Sequence, residues 1–222
     1  MTLAQLLTLV STRLDDTKTP RLWSDVELTS YFNEIINSLC ERAPVLIDFV
    51  TTAICNISVL TTTATYATDP RIIRILEARL ALVDSPLGRI SWHELSATNP
   101  TWRLATGTPQ AYMTDMGSDT IVLYPKPIVA DTLYLGVARY PLLPLDSTVT
   151  PSMNIEIPER FQSLLIPGVT AMAYRKPDAE TENLVRAKAD EIEWLGNVES
   201  IKQFYLKKNE SSYVAVPHQA FM

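Results

Sequence analysis

Two histidines, His93 and His218, and two cysteines, Cys40 and Cys55, are all that this 222-residue chain offers of the side chains most used for acid–base catalysis and transition-metal binding. Trp92-His93-Glu94 sets an imidazole beside a carboxylate, the raw material of a general acid–base pair, but no nucleophile of defined geometry accompanies it. Cys40 belongs to no Cys-x-x-Cys pair, and the histidines do not cluster with either thiol to complete a tetrahedral site, so both cysteines are expected to be buried or semi-buried thiols. Asp15 and Asp16 are adjacent in a loop and read as turn chemistry after a helix. The acidic run Asp190-Glu-Ile-Glu193 reads as a solvated or partner-facing surface. Six glycines form neither GxGxxG nor GxxxxGK, so no phosphate-cradling loop is present. The residues therefore predict no catalytic group, no cofactor and no metal.

Charge and composition narrow the classes further. A net charge of −6 argues against a general nucleic-acid binder, which needs a concentrated Lys/Arg surface. Arg71, Arg74, Arg79 and Arg89 are spread among apolar positions and balanced by Glu77 and Asp84, a pattern of sheet-surface or subunit-contact charges. Acidity still permits a protein that surrounds DNA without gripping it. Hydrophobic residues at 46% and charged residues at 20% exclude global disorder. The low charged share fits either a surface partly covered by partners or ordinary variation. Two cysteines fit a reducing or cysteine-indifferent compartment. No apolar run reaches the roughly 18 to 20 residues that cross a bilayer, so no membrane contact is expected. Met1 to Val10 lacks the early positive charge of a signal peptide.

The elements that must position these residues follow from periodicity. Leu3, Leu6, Leu7, Val10 and Leu14 recur at helical spacing and predict a helix over residues 2–14. Ser24 three residues before Glu27 is a capping box, with Trp23 as a staple residue. The helix it opens carries Leu28, Phe32, Ile35, Ile36 and Leu39 and ends near Pro44. Threonine and β-branched residues then dominate. Strands are expected over 49–60, 71–83, 110–114, 120–124 and 132–140, with Ile73, Ile75, Ala81 and Val83 on the half-buried face of the second. Ser91 to Leu95 reads as one helical turn. Pro158 suits the first position of a third helix reaching Lys176, which Pro167-Gly168 should bend. Asp178 can cap a fourth helix with Leu184, Val185, Ile192 and Leu195, and Gly196-Asn197 should kink or break it before Val198 to Lys208. The fold class is α+β: a helical core of about four helices (1–48 and 157–209), an inserted, mainly antiparallel β domain with connecting loops (49–156), and an extended C-terminal tail (210–222).

Two features combine apolar and polar character in a way suited to partner binding. In one, glycine and proline turn the chain between Trp102 and Tyr112, continuing to Tyr124, three large amphipathic side chains. A loop packed over its own sheet accounts for them equally. In the other, Tyr213, Val214 and Val216 could add to a neighbour's sheet edge with Phe221 as an anchor; a frayed terminus is the plain alternative.

Taken in order, several short stretches resemble a known family. These are the opening Leu3 to Leu14 helix, Leu22-Trp-Ser-Asp-Val-Glu-Leu28 with Tyr31-Phe-Asn-Glu34, Trp102 with Gly107-Thr-Pro109 and Tyr112, Leu123-Tyr-Pro-Lys-Pro127, and Pro158-Glu-Arg-Phe161. Over most of its length the chain is similar to the head-to-tail adaptor, or connector, proteins of tailed bacteriophages. The resemblance implies a virion protein at the neck, assembled in the host cytoplasm, whose copies (about twelve) form a ring beneath the portal protein. Such a ring extends the DNA channel, helps retain the genome and gives tail, tail-tube or nozzle proteins their attachment surface. Double-stranded DNA would slide through it without sequence-specific binding. No catalytic residue comes with the resemblance. A stopper, tail-completion or tail-tube component, or an assembly factor absent from the finished particle, remains an alternative. A nuclease or peptidoglycan hydrolase would need an acidic or histidine cluster that the sequence does not offer.

Overall fold

The computed structural model describes residues 1–148, 152–177 and 182–210 and has an α+β fold. In chain order it runs α1 (Leu3–Arg13), α2 (Asp25–Arg42), β1 (Ile47–Asp48), α3 (Thr52–Cys55), β2 (Asn56–Val59), β3 (Thr65–Ala67), β4 (Ile72–Leu80) and β5 (Gly88–Arg89). There follow α4 (Trp92–Thr98), β6 (Thr106–Gly107), β7 (Ala111–Met113), β8 (Thr120–Tyr124), β9 (Lys126–Pro127) and β10 (Asp131–Arg139). The chain ends through α5 (Glu159–Gln162), α6 (Ile166–Ala173) and α7 (Leu184–Glu210). Two compact units result: Met1–Val45 with Pro141–Met222, and Leu46–Tyr140.

The helical unit is built from the periodicities that the sequence shows. Thr2 and Gln5 close a capping box on α1, and Leu3, Leu6, Leu7 and Val10 bury its inner face. Ser24 caps α2 by accepting from the Glu27 amide at 3.2 Å. The Glu27 carboxylate does not complete the box; it accepts instead from Tyr31 Oη and Lys176 Nζ, each at 3.0 Å. Burial, and then that bond to Glu27, push the Tyr31 phenol up to about 12. Leu28, Phe32, Ile36 and Leu39 line the buried side of α2, each contributing about 1.5–3 kcal/mol of transfer free energy.

Proline shapes the third helical segment. Pro158 stands at the N-cap of α5 and not at the first helical position. Between α5 and α6 lies a 3-10 turn, Ser163–Leu165, because Pro167 has no N–H to give the Ser163 carbonyl; the Ile166 amide takes that carbonyl three residues on. In α6, Gly168 lets Ile35 of α2 and Trp194 of α7 come so close that an added Cβ would stand 2.8 and 3.1 Å from their side chains.

Helix α7 departs from expectation at its middle. It runs unbroken through Gly196-Asn197, because Trp194, Val198, Ile201 and Tyr205 are buried on both sides of that pair, outweighing the roughly 1 kcal/mol propensity penalty of one glycine. Asn197 donates its amide to the Leu164 carbonyl at 3.2 Å and caps nothing. The face turned inward is Ala187, Trp194, Val198, Ile201 and Tyr205, whereas Leu184, Val185, Ile192 and Leu195 are exposed. Asn183 accepts from the Arg186 amide at 3.0 Å at the helix start; Asp178 lies outside the described residues.

In the β unit, β10 is central, pairing antiparallel with β1 and β2 on one side and β4 on the other. A second sheet runs β3-β8-β7-β5, and β6 pairs β9. All pairings are antiparallel except β5–β7 and β6–β9, two-residue parallel contacts. The expected 49–60 strand is divided. Asp48 Oδ1 accepts from the Val50 and Thr51 amides, both at 2.9 Å, and turns the chain into α3. Strand β3, hidden in the threonine run, was not anticipated; Tyr66 fixes it by bonding its hydroxyl to the Leu60 and Thr63 backbone. Strand β4 buries Ile75, Ala78 and Leu80. The register with β10 slips between Gly136 and Val137, leaving Leu76 as an extra residue turned to solvent. That bulge is why the apolar alternation looked blurred; Val83 is exposed because the strand ends at Leu80 and Val83 stands in the turn that follows.

Candidate assembly surfaces

Most of the chain's chemistry-bearing residues are occupied in holding it together. Asp16 is buried and accepts from the Leu22 and Trp23 amides at 3.0 and 3.1 Å, while Asp15 takes a left-handed turn conformation with φ 58°. The Asp190–Glu193 run is not a free acidic face. Arg13 of α1 bridges Asp190 at 2.7 Å and Glu193 at 2.6 Å, and Thr170 of α6 also donates to Asp190. Glu191 is held by Arg175 and Lys188 at 2.8 and 3.0 Å. The hydrogen bond that Arg13 donates to Glu193 and the neighbouring carboxylates raise its guanidinium further above its ordinary range, against the opposing effect of burial.

A second network sits in the β unit. Arg139 Nε meets Asp48 Oδ2 at 2.7 Å, with both side chains almost wholly buried. Burial acts to raise the Asp48 carboxyl, but hydrogen bonds from Thr51, Val50 and Arg139 more than offset it and hold the group below the usual carboxylate range. Cys55 lies against the same carboxylate, its Sγ 3.7 Å from Asp48 Oδ1. Burial first, then the Asp48 charge, push the thiol up to about 11. Cys40 is buried as well. In native protein at pH 8 neither thiol is therefore expected to react with a disulfide thiol reagent within minutes, and both should react after denaturation; one or more thiols reacting in the native protein would refute this.

His93 stacks on Trp92 with ring centroids 3.6 Å apart. Ser91, the α4 cap, donates to Asp115 at 2.8 Å without an imidazole between them. Among the described residues, no group of three or more His, Cys, Asp or Glu side chains is placed to hold a metal ion. No described helix is long and apolar enough to cross a membrane.

The three aromatics singled out in the sequence occupy one unit. Trp102 is buried with Leu95, Met113 and Val122, and Tyr124 packs against this cluster. The Trp102 indole donates to Ser96 Oγ at 3.0 Å and meets Tyr124 edge-on at 6.5 Å; Asn99 donates to the Tyr124 hydroxyl at 3.1 Å. Tyr112 is buried in β7, paired with Leu123. Their bodies thus hold the 99–109 loop, and what that loop offers to solvent is Leu104, 81% exposed, and Arg103, stacked over the Trp102 ring at 4.6 Å. Tyr213, Val214, Val216, Phe221 and His218 lie outside the described residues.

Two apolar surfaces were not legible as surfaces. On α7, Leu184, Val185, Ile192, Leu195 and Leu206 form a stripe away from the buried face, with Val185 83% and Ile192 61% exposed. In the β unit, a groove runs between the turn after β4, the end of β6 and the turn before β10, walled by Leu82, Val83, Ile128 and Val129. Apolar exposure at this density marks association sites in soluble proteins. The signal that could have found the stripe was a 27-residue helix with apolar residues on two faces.

A family model described as SU10 adaptor protein matches residues 1–205 of the chain. No curated protein matches it.

Proposed function

The chain belongs to the SU10 adaptor protein family and is a structural virion protein of the bacteriophage head-to-tail connector; we propose that it works as a closed ring of about twelve copies between portal and tail. In this reading one rim of the ring binds the portal protein, the other receives a tail, tail-tube or nozzle protein, and double-stranded DNA passes through the lumen without sequence-specific contacts. The observation that carries the reading is the family match, which spans both units.

The physical features support a ring subunit. Ring closure needs two different, complementary surfaces on each copy. The outer stripe of α7 supplies one apolar surface, on a helix about 40 Å long at 1.5 Å per residue. Its charged neighbours Lys188, Glu199 and Lys202 are exposed beside it and suit an interface rim. A net charge of −6 suits a channel that must release DNA.

Electron microscopy of purified particles tests this. Density for this chain is expected as a ring between portal and tail. Because Val185 and Ile192 are exposed, the double variant Val185→Glu/Ile192→Glu should keep the wild-type melting curve yet yield at least tenfold fewer tailed particles. Finding the chain only as free monomer, with no density in the neck, would overturn the proposal.

A further inference from the structure

The groove of the β unit has the chemistry of a receptor for one particular segment. Its floor is Val59 and Leu80, both buried, and its walls are Leu82, Val83, Ile128 and Val129, each at least half exposed. The rim adds Gly107, Thr108, Pro109 and Pro127, and the two prolines bring no N–H that a ligand would have to satisfy. The one carboxylate present, Asp131, is already occupied: it accepts from the Leu82 amide at 3.2 Å and the Thr132 amide at 2.6 Å.

The walls are also fixed in place. The Ala81 amide donates to Thr132 at 2.9 Å, the Asp84 amide to Leu80 at 2.9 Å, and β6 is locked to β9 through Thr106–Lys126 and Gly107–Pro127. Leu82 and Val83 stand on this hydrogen-bonded turn and Ile128 and Val129 directly follow β9, so four large aliphatic side chains meet water at one groove. Such a site selects an uncharged segment with aliphatic and aromatic side chains.

We propose that this groove on one copy receives the Ser211–Met222 segment of a neighbouring copy, with Tyr213, Val214, Val216 and Phe221 supplying the contacts. The segment holds no Asp, Glu, Lys or Arg in twelve residues, which matches a groove whose one carboxylate already accepts two backbone amides. It follows α7 directly, and twelve extended residues reach about 40 Å at 3.3–3.6 Å each. It is too short to bury a core of its own. Segment and groove are non-identical surfaces carried once each by every copy, as a heterologous contact between ring neighbours requires. The inference rests on the ring reading for the proximity of neighbours, since a linked partner acts at high effective concentration.

The test uses the full-length chain in assembled particles, with a photo-crosslinking phenylalanine analogue at Tyr213 or Phe221 and a mixture of isotopically heavy and light copies. Crosslinks are expected to residues 82–83 and 127–129, with heavy–light pairs among them. Ile128→Glu, at an exposed site, should cut their yield at least tenfold while leaving the melting curve unchanged. Crosslinks that land elsewhere, that join only copies of the same mass, or that survive Ile128→Glu overturn the proposal. A neck ring seen by microscopy with no groove crosslinks would sink this inference and leave the adaptor role standing. Groove crosslinks in soluble oligomers, with no ring in particles, would do the reverse.

Discussion

Gly168→Ala is expected to lower the stability of the helical unit by about 1–3 kcal/mol, the range for overpacking a filled core. Helix propensity alone would predict the opposite sign, since alanine is better than glycine inside a helix by about 1 kcal/mol. Packing decides. The new methyl carbon would stand 2.8 Å from Ile35 Cδ1 and 3.1 Å from both Ile35 Cγ2 and Trp194 Cδ2. Ile35 and Trp194 are 7% and 5% exposed, so neither can swing into solvent. Gly196→Ala provides the control, because its added Cβ meets nothing within 4 Å and only the propensity gain of about 1 kcal/mol remains. Urea unfolding of the two variants should therefore shift in opposite directions. A Gly168→Ala protein as stable as wild type would show that α2, α6 and α7 are not packed as described.

The second large effect is expected at the buried pair in the β unit. Asp48→Ala leaves the Arg139 guanidinium without that carboxylate and frees the amides of Val50 and Thr51 that it caps. Breaking a buried pair from one side costs about 3–5 kcal/mol. The pH dependence has a definite sign. The folded state holds the Asp48 pKa below its unfolded value, so its contribution is complete above the ordinary aspartate value of about 4. It is lost as pH falls from there through the depressed folded value. Asp48→Asn should flatten this acid limb of the stability–pH curve. An acid limb unchanged in Asp48→Asn would show that other carboxylates carry it.

How much of this was legible depended on whether a residue's partner lies nearby in sequence. The faces of α1 and α2 and the Ser24 cap were readable because helical spacing and capping are local. Strands β8 and β10 stood out as short β-branched runs between turn residues. The β4 face was not readable, because its bulge is set by the register with β10, about sixty residues away. Likewise Asp190 and Glu193 looked solvated, since Arg13 lies 177 and 180 residues away in the chain. The inner face of α7 was not readable for a related reason. Both faces carry apolar residues, and those buried within the unit are Ala187, Trp194, Val198, Ile201 and Tyr205. Trp102 and Tyr112 carried a surface signal in composition, and the fold buries both.

The exposed stripe of α7 sets a clock on the free subunit. While Val185, Ile192 and Leu195 face water, every encounter between copies brings apolar surface against apolar surface. Lys188, Glu199 and Lys202, spaced along the same exposed surface, act as spacers that slow such encounters while leaving a matching surface free to dock.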